Sequence, residues 1–257
     1  MEPVITLKNI SKTFVEYADH SIPALNNISL EIISGEIFVV VGPSGSGKST
    51  LLRIMSGLEK KYDGEVILHD GLVPEDFSFV FQQFALLPWL TVSENIAIGL
   101  VARTDHRHVI SERVNKELKR FGLEKFGHAY PRELSGGMRQ RVGIARALAT
   151  DPRVIFMDEP FSELDSFTAQ ELRKELLRIW QNPEWGESKK HMQEQPTIVM
   201  VTHIVEEALE LADRVAVLTP RPGKIEKIVK NNLLRPRALR SQEFFAAEDE
   251  LYRLIKP

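Results

Sequence analysis

Short, unbroken apolar runs recur along this chain: Ile37-Phe38-Val39-Val40-Val41, Phe79-Val80-Phe81, Val154-Ile155-Phe156-Met157, Thr197 to Thr202 and Arg214 to Leu218. Runs of this length without alternation predict strands buried on both faces of a parallel sheet. The first 35 residues differ. Ile5 and Leu7, then Leu25, Ile28, Leu30 and Ile32, alternate with polar positions, so antiparallel strands with one wet face are expected, joined by the polar stretch from Glu16 to Pro23. Asp63-Gly64 through Leu68 reads as a further turn and strand, and Ile225 to Val229 as a last short one. Helical spacing appears in Leu51, Leu52, Ile54, Met55 and Leu58, with Gly57 as a stop signal, and again from Thr91 to Phe126 through Val92, Ile96, Ile98, Val109, Val114, Leu118 and Phe121. Val142, Ile144, Ala145, Ala147 and Leu148 outline another helix, Ala169 to Trp180 the next, and Phe244, Phe245, Leu251 and Leu254 one near the end. The chain reads as α/β.

Composition narrows the function classes. At 257 residues, one domain with a subdomain, or two lobes, is expected. A net charge of −3 argues against non-specific nucleic-acid binding, and the absence of cysteine excludes disulfide, thiol and cysteine-metal chemistry. No run approaches the ~18 apolar residues that span a bilayer, and Met1-Glu2-Pro3 does not begin a signal peptide, so a cytosolic chain is expected unless a partner ties it to a membrane.

The chemistry centres on Gly42-Pro43-Ser44-Gly45-Ser46-Gly47-Lys48-Ser49-Thr50, which matches the phosphate-binding loop G-x-x-x-x-G-K-[ST] between a strand and a helix. Loop amides and a helix N-terminus converge there on one anion site. Lys48 is expected to reach the β- and γ-phosphates, and the Ser49 hydroxyl to hold Mg²⁺. Gln82 ends a strand, where a carboxamide can ligate Mg²⁺ or hold a water. Asp158-Glu159 ends another; Asp158 is expected to bind Mg²⁺ through water and Glu159 to act as general base on the attacking water. His203, at the end of the Thr197 run, is expected to contact the γ-phosphate. Ser135-Gly136-Gly137 precedes an amphipathic helix, a second helix N-terminus with exposed amides. Two anion sites so far apart in sequence suggest a composite site across a dimer; taken alone, Ser135 would be an N-cap and nothing else. For Trp89, in the proline-broken segment Leu86 to Leu90, a core position and a partner-binding surface are equally open. An aromatic at Phe14 can stack on a purine ring, but spacing alone favours a plain core or edge residue.

These motifs, in this order, resemble the ATP-binding subunit of an ABC transporter, and the resemblance covers nearly the whole chain. It implies a P-loop NTPase fold: a RecA-like core with an antiparallel β subdomain (residues 1–82 and 151–230), an inserted α-helical signature subdomain (83–150) and a tail helix (231–257). It also implies ATP hydrolysis with Mg²⁺, and head-to-tail pairing with a second copy or a paralogous ATPase. In that arrangement Ser135 to Gly137 of one subunit covers the ATP held by the loop of the other. Phe14 falls where the family has its adenine-stacking aromatic, which reverses the reading from spacing, and Asp165 falls in the loop that signals between the two sites. Phe81-Gln82 with Leu87-Pro88-Trp89, Pro131 before the Leu134 signature, Arg235-Pro236-Arg237 and Glu243-Phe244 are similar to the importer branch serving nitrate, sulfonates and taurine. That branch implies membrane permease subunits contacted through Gln82 to Trp89, an extracytoplasmic solute-binding protein, and a peripheral position on the cytoplasmic face of the membrane.

Three departures stand out. Ile204 follows the switch histidine where the family usually has Asp; Glu163 replaces a small residue in the Ser162–Asp165 loop; and the stretch from Gln181 to Gln195 looks like an insertion. An exporter ATPase and a non-transport ABC protein acting on DNA or ribosomes are the alternatives. A GTP switch is disfavoured by the lack of an Asn-Lys-x-Asp string. The sequence does not name the transported solute.

Overall fold

The computed structural model describes residues 2–15, 21–104, 106–181 and 195–255. In chain order its elements are β1 (Pro3–Val15), β2 (Ser21–Ile33), β3 (Ile37–Val41), α1 (Lys48–Met55), β4 (Asp63–Leu68), β5 (Phe77–Val80), α2 (Val92–Val101), α3 (Arg107–Arg120), α4 (Gly136–Ala149), β6 (Val154–Asp158), α5 (Ser166–Trp180), β7 (Thr197–Thr202), α6 (Val205–Leu211), β8 (Arg214–Leu218), β9 (Ile225–Lys230) and α7 (Gln242–Ile255).

The apolar runs form a six-stranded sheet in the order β5-β6-β7-β3-β8-β9, parallel except for β9. Successive residues of each run face opposite layers. Val39, Val41, Ile155, Met157, Ile198 and Met200 meet the helices on one face, whereas Phe38, Val40, Phe156, Val199 and Val201 meet α1 and the alternating strands on the other. Both faces are therefore dry, which is why these strands read as continuous apolar stretches. The alternating segments form the expected antiparallel sheet, β2-β1-β4, with Leu7 opposite Leu30 on one side and Val66 on the other.

Several boundaries shift. α1 ends at Met55, and the Gly57 amide closes on the Ile54 carbonyl at 3.1 Å, so Leu58 falls outside the helix and is exposed. The single helical stretch expected from Thr91 to Phe126 is two helices. The chain turns after α2, where the Arg103 and Thr104 amides both close on Leu100 O (2.9 and 3.0 Å) and the Arg103 guanidinium donates to Thr150 O at 2.6 Å. Ile98 and Val109 consequently point to solvent. α5 begins three residues early because the Asp165 carboxylate caps it, accepting from the Phe167 and Thr168 amides at 3.1 and 3.0 Å. All but the ends of the Gln181–Gln195 insertion lie outside the described residues. The Arg235-Pro236-Arg237 string straps the tail to the core. Arg235 pairs with Asp213 at 2.6 Å, and Arg237 donates to the carbonyls of Leu209 and Ala212 at 2.8 and 2.7 Å.

Candidate functional site

In a parallel sheet the carboxyl ends of the strands share one edge, and ligands lie in the crevice there. Along this edge the chain delivers the loop after β3, Gln82 after β5, Asp158-Glu159 at the end of β6 and His203 after β7. An open cleft of about 500 Å³ is lined by Ser44, Gly45, Gly47 to Thr50, Gln82, Glu159, His203 and Arg221.

The loop is shaped by its glycines and by Lys48. Gly47 has φ +96°, and a Cβ there would come within 2.7 Å of Leu25 Cδ2 and 2.8 Å of Ala24 O, so only glycine seats the loop against β2. Lys48, the first residue of α1, folds back across the loop and donates to Gly42 O at 2.9 Å and Pro43 O at 3.0 Å. Burial lowers its pKa, with Glu159 and Asp158 opposing the shift. Ser46 Oγ is buried in the loop with no hydrogen-bond partner among the described residues.

Ser49 Oγ donates to Asp158 Oδ1 at 2.6 Å, and Arg53 lies 3.6 Å from the other carboxylate oxygen. Burial raises the Asp158 pKa above its ordinary value, while the Ser49 hydrogen bond and Arg53 pull it back. Glu159 has φ +44°, a strained conformation for a residue with a Cβ, held by its amide on Val201 O at 3.0 Å and by the Ser162 hydroxyl donating to its carbonyl, also at 3.0 Å. This geometry turns the Glu159 side chain into the cleft, where Oε2 lies 2.9 Å from His203 Nδ1.

Phe14 and the glycine signature do not line this cleft. Phe14 is partly exposed on the β1–β2 ribbon, with Lys12 Nζ 4.6 Å from its ring centre. Ser135 is an N-cap, accepting from the Met138 amide at 3.3 Å, and Gly137 lies against Thr168 at the start of α5. The signature and the Asp165 cap therefore adjoin each other.

Four functional residues escaped the sequence reading. Asn95 is fully buried on α2. Its Nδ2 donates to the carbonyls of Leu87, Leu90 and Thr91 at 2.9 to 3.1 Å, and its Oδ1 accepts from the Leu87 amide at 2.8 Å, so one carboxamide fastens the Trp89 segment. A signal existed: Asn95 interrupts an apolar helical face between Val92 and Ile96. Arg146 donates to Phe84 O and Ala85 O at 3.0 and 2.6 Å, holding two residues with positive φ just beyond Gln82. Glu207 accepts from Thr202 Oγ1 at 2.6 Å, and the same hydroxyl accepts from the Ile204 amide at 3.1 Å, so the backbone on either side of His203 is pinned although Ile204 caps nothing. Arg221 reaches the cleft from the β8–β9 turn.

Residues 25–162 match the ABC transporter family. An uncharacterized ABC transporter ATP-binding protein of Methanocaldococcus jannaschii is 44% identical over all of this chain and 92% of its own length. The aliphatic sulfonates import ATP-binding protein of Bacillus subtilis is 39% identical, covering 94% of this chain and 90% of that protein. The sulfate/thiosulfate import ATP-binding protein of Caulobacter vibrioides is 43% identical over 87% of this chain and 64% of its own length. Among solved structures, a dimeric ATP-binding cassette in a post-hydrolysis state with ADP and Pi superposes with a TM-score of 0.73 at 34% identity, covering 90% of this chain and all of that one. The fold is that of a P-loop NTPase, and the chain belongs to the ABC transporter family as an ATP-binding subunit that hydrolyses ATP.

Proposed function

We propose that this subunit powers an importer, working at the cytoplasmic face of a membrane through separate permease subunits fed by an extracytoplasmic solute-binding protein. Small anions such as sulfonate, nitrate or taurine are the proposed cargo, in keeping with the relatives that import sulfonates and sulfate. The observation that carries the ATPase side of this reading is the convergence of the Ser49–Asp158 and Glu159–His203 pairs on the cleft of the phosphate loop.

Lys48 and the loop amides bind the β- and γ-phosphates, and His203 the γ-phosphate. The Ser49 hydroxyl, the Asp158 carboxylate and the Gln82 carboxamide are hard oxygen donors of the kind Mg²⁺ takes beside substrate phosphates, and when bound it neutralises charge on the transferred group. Glu159 accepts the proton of the water that attacks the γ-phosphorus as the bond to ADP breaks. Phe14 stacks on adenine. Ser135, Gly136 and Gly137, which lie outside the cleft of their own chain, cover the ATP of a partner ATPase.

Residues 1–82 and 151–230 form the proposed core, 83–150 the helical subdomain and 231–257 the tail. Coupling runs from Gln82 to Trp89. Gln82 reaches the cleft, whereas residues 84–90 are tied by Arg146 and Asn95 to α4 and α2, so the segment moves with those helices. The test is purification of a tagged Glu159→Gln form from membranes in ATP. Recovery with a permease and a solute-binding protein supports the importer; recovery with ribosomes or DNA and no membrane protein refutes it.

A further inference from the structure

The turn between β8 and β9 contributes a cation that no motif marks. Arg221 lines the cleft together with Lys48, Ser49, Gln82, Glu159 and His203, and its Nε donates to Gly45 O at 3.3 Å. Among the described residues it has no carboxylate partner. A guanidinium held at the mouth of an anion site without an internal counter-charge is free to pair with phosphate oxygens.

The turn that carries it is built against the phosphate loop. Gly223 donates to Ala24 O and accepts from the Asn26 amide, both at 2.9 Å, and a Cβ at Gly223 would come within 2.2 Å of Ser46 O. Thr219 closes the turn on Lys224, through its amide to the Lys224 carbonyl at 2.9 Å and through its hydroxyl, which accepts from the Lys224 amide at 3.0 Å. Arg221 therefore projects from a braced base wedged between the β1–β2 ribbon and the loop.

The strand order sets which part of the nucleotide it meets. Gln82, Glu159 and His203 follow β5, β6 and β7, all on one flank of β3, and Arg221 follows β8 on the other. A triphosphate with its terminal group toward Glu159 and His203 turns its inner phosphates toward the β8 flank, the side of the ribbon that bears Phe14. We propose that Arg221 binds the non-bridging oxygens of the α- or β-phosphate and so positions the nucleotide in the cleft. This inference rests on the nucleotide reading of that cleft.

The test is equilibrium binding of ATP and of ADP, each with Mg²⁺, to the full Glu159→Gln chain and to its combinations with Arg221→Ala, Arg221→Lys and Lys48→Ala. Arg221→Ala is expected to weaken ATP and ADP by the same factor, about tenfold. The loss should shrink at high salt, as screening predicts, and Arg221→Lys should restore part of it. Arg221 is exposed, so the melting temperature without nucleotide should not move. Unchanged affinity for both nucleotides overturns the inference, and so does a loss confined to ATP. If Lys48→Ala leaves both affinities intact, the assignment of the cleft itself fails, whatever Arg221 does.

Discussion

The Nδ1 atom of His203 lies 2.9 Å from Oε2 of Glu159, so the proposed switch histidine and the proposed base are hydrogen-bonded to each other. The contact uses one ring nitrogen and one carboxylate oxygen, which leaves His203 Nε2 for the γ-phosphate and Glu159 Oε1 for the proton of the attacking water. Glu159→Gln keeps the shape and a hydrogen-bonding oxygen but cannot accept that proton. We expect ATP affinity to be preserved and turnover to fall by about two orders of magnitude or more. Steady-state hydrolysis beside equilibrium binding decides it, and near-normal turnover refutes the base assignment.

Asp158 couples the site to stability. Burial holds its pKa above the ordinary 3.8, so the native chain keeps this proton to higher pH than the unfolded chain. The destabilisation is absent at pH values below the unfolded pKa and grows to its full size as pH rises through the native one. Asp158→Asn removes the buried charge while leaving an oxygen to accept from Ser49. Without nucleotide or metal this variant should melt higher at pH 7, by about 2 °C for roughly 1 kcal/mol in a chain of this size, and the gain should vanish toward pH 3. A variant that melts lower at pH 7 contradicts this account.

Asn95 is a third test. Truncation to Ala takes the side-chain partner from the Leu87 amide and the Leu90 carbonyl, whereas Leu87 O keeps the Leu90 amide and Thr91 O keeps the Asn95 amide. A loss of about 2 kcal/mol in urea unfolding is expected from the two half-buried backbone groups left unsatisfied. A loss below about 0.5 kcal/mol, the range of ordinary surface substitutions, would mean that the segment is not fastened there.

What the sequence disclosed follows from which interactions are local. The phosphate loop, the strand-end acids and His203 were legible because a glycine loop between strand and helix, and polar residues closing apolar runs, announce the carboxyl edge of a parallel sheet. Even the capping role left open for Ser135 was local. Arg146 and Arg221 were not legible, since their meaning lies in carbonyls distant along the chain: Arg146 holds Phe84 and Ala85, and Arg221 touches Gly45. Asn95 was legible only as a polar break in an apolar helical face, because its partners lie in an irregular segment that has no periodicity to read. The break between α2 and α3 was missed for a similar reason, because the turn is secured by Arg103 reaching Thr150. Leu58 misled because helical spacing continued to the residue just after the glycine that closes the helix.

Trp89 offers the sharpest separation of folding from coupling. The residue is 69% exposed, yet the flanking backbone at Leu87 and Leu90 is held by the buried Asn95. An indole displayed on a fixed loop is the arrangement of an interface anchor, since aromatic residues at the centres of interfaces carry much of the binding energy. Trp89→Ala removes the indole and leaves the Asn95 bonds to the backbone untouched. The variant should unfold within about 0.5 kcal/mol of the parent and retain basal ATP hydrolysis. Its recovery with permease subunits from membranes should fall at least about tenfold, the size of a 1.4 kcal/mol hot-spot loss. If recovery is unchanged, the coupling surface lies elsewhere; if stability falls with it, Trp89 packs on its own chain and is no interface anchor.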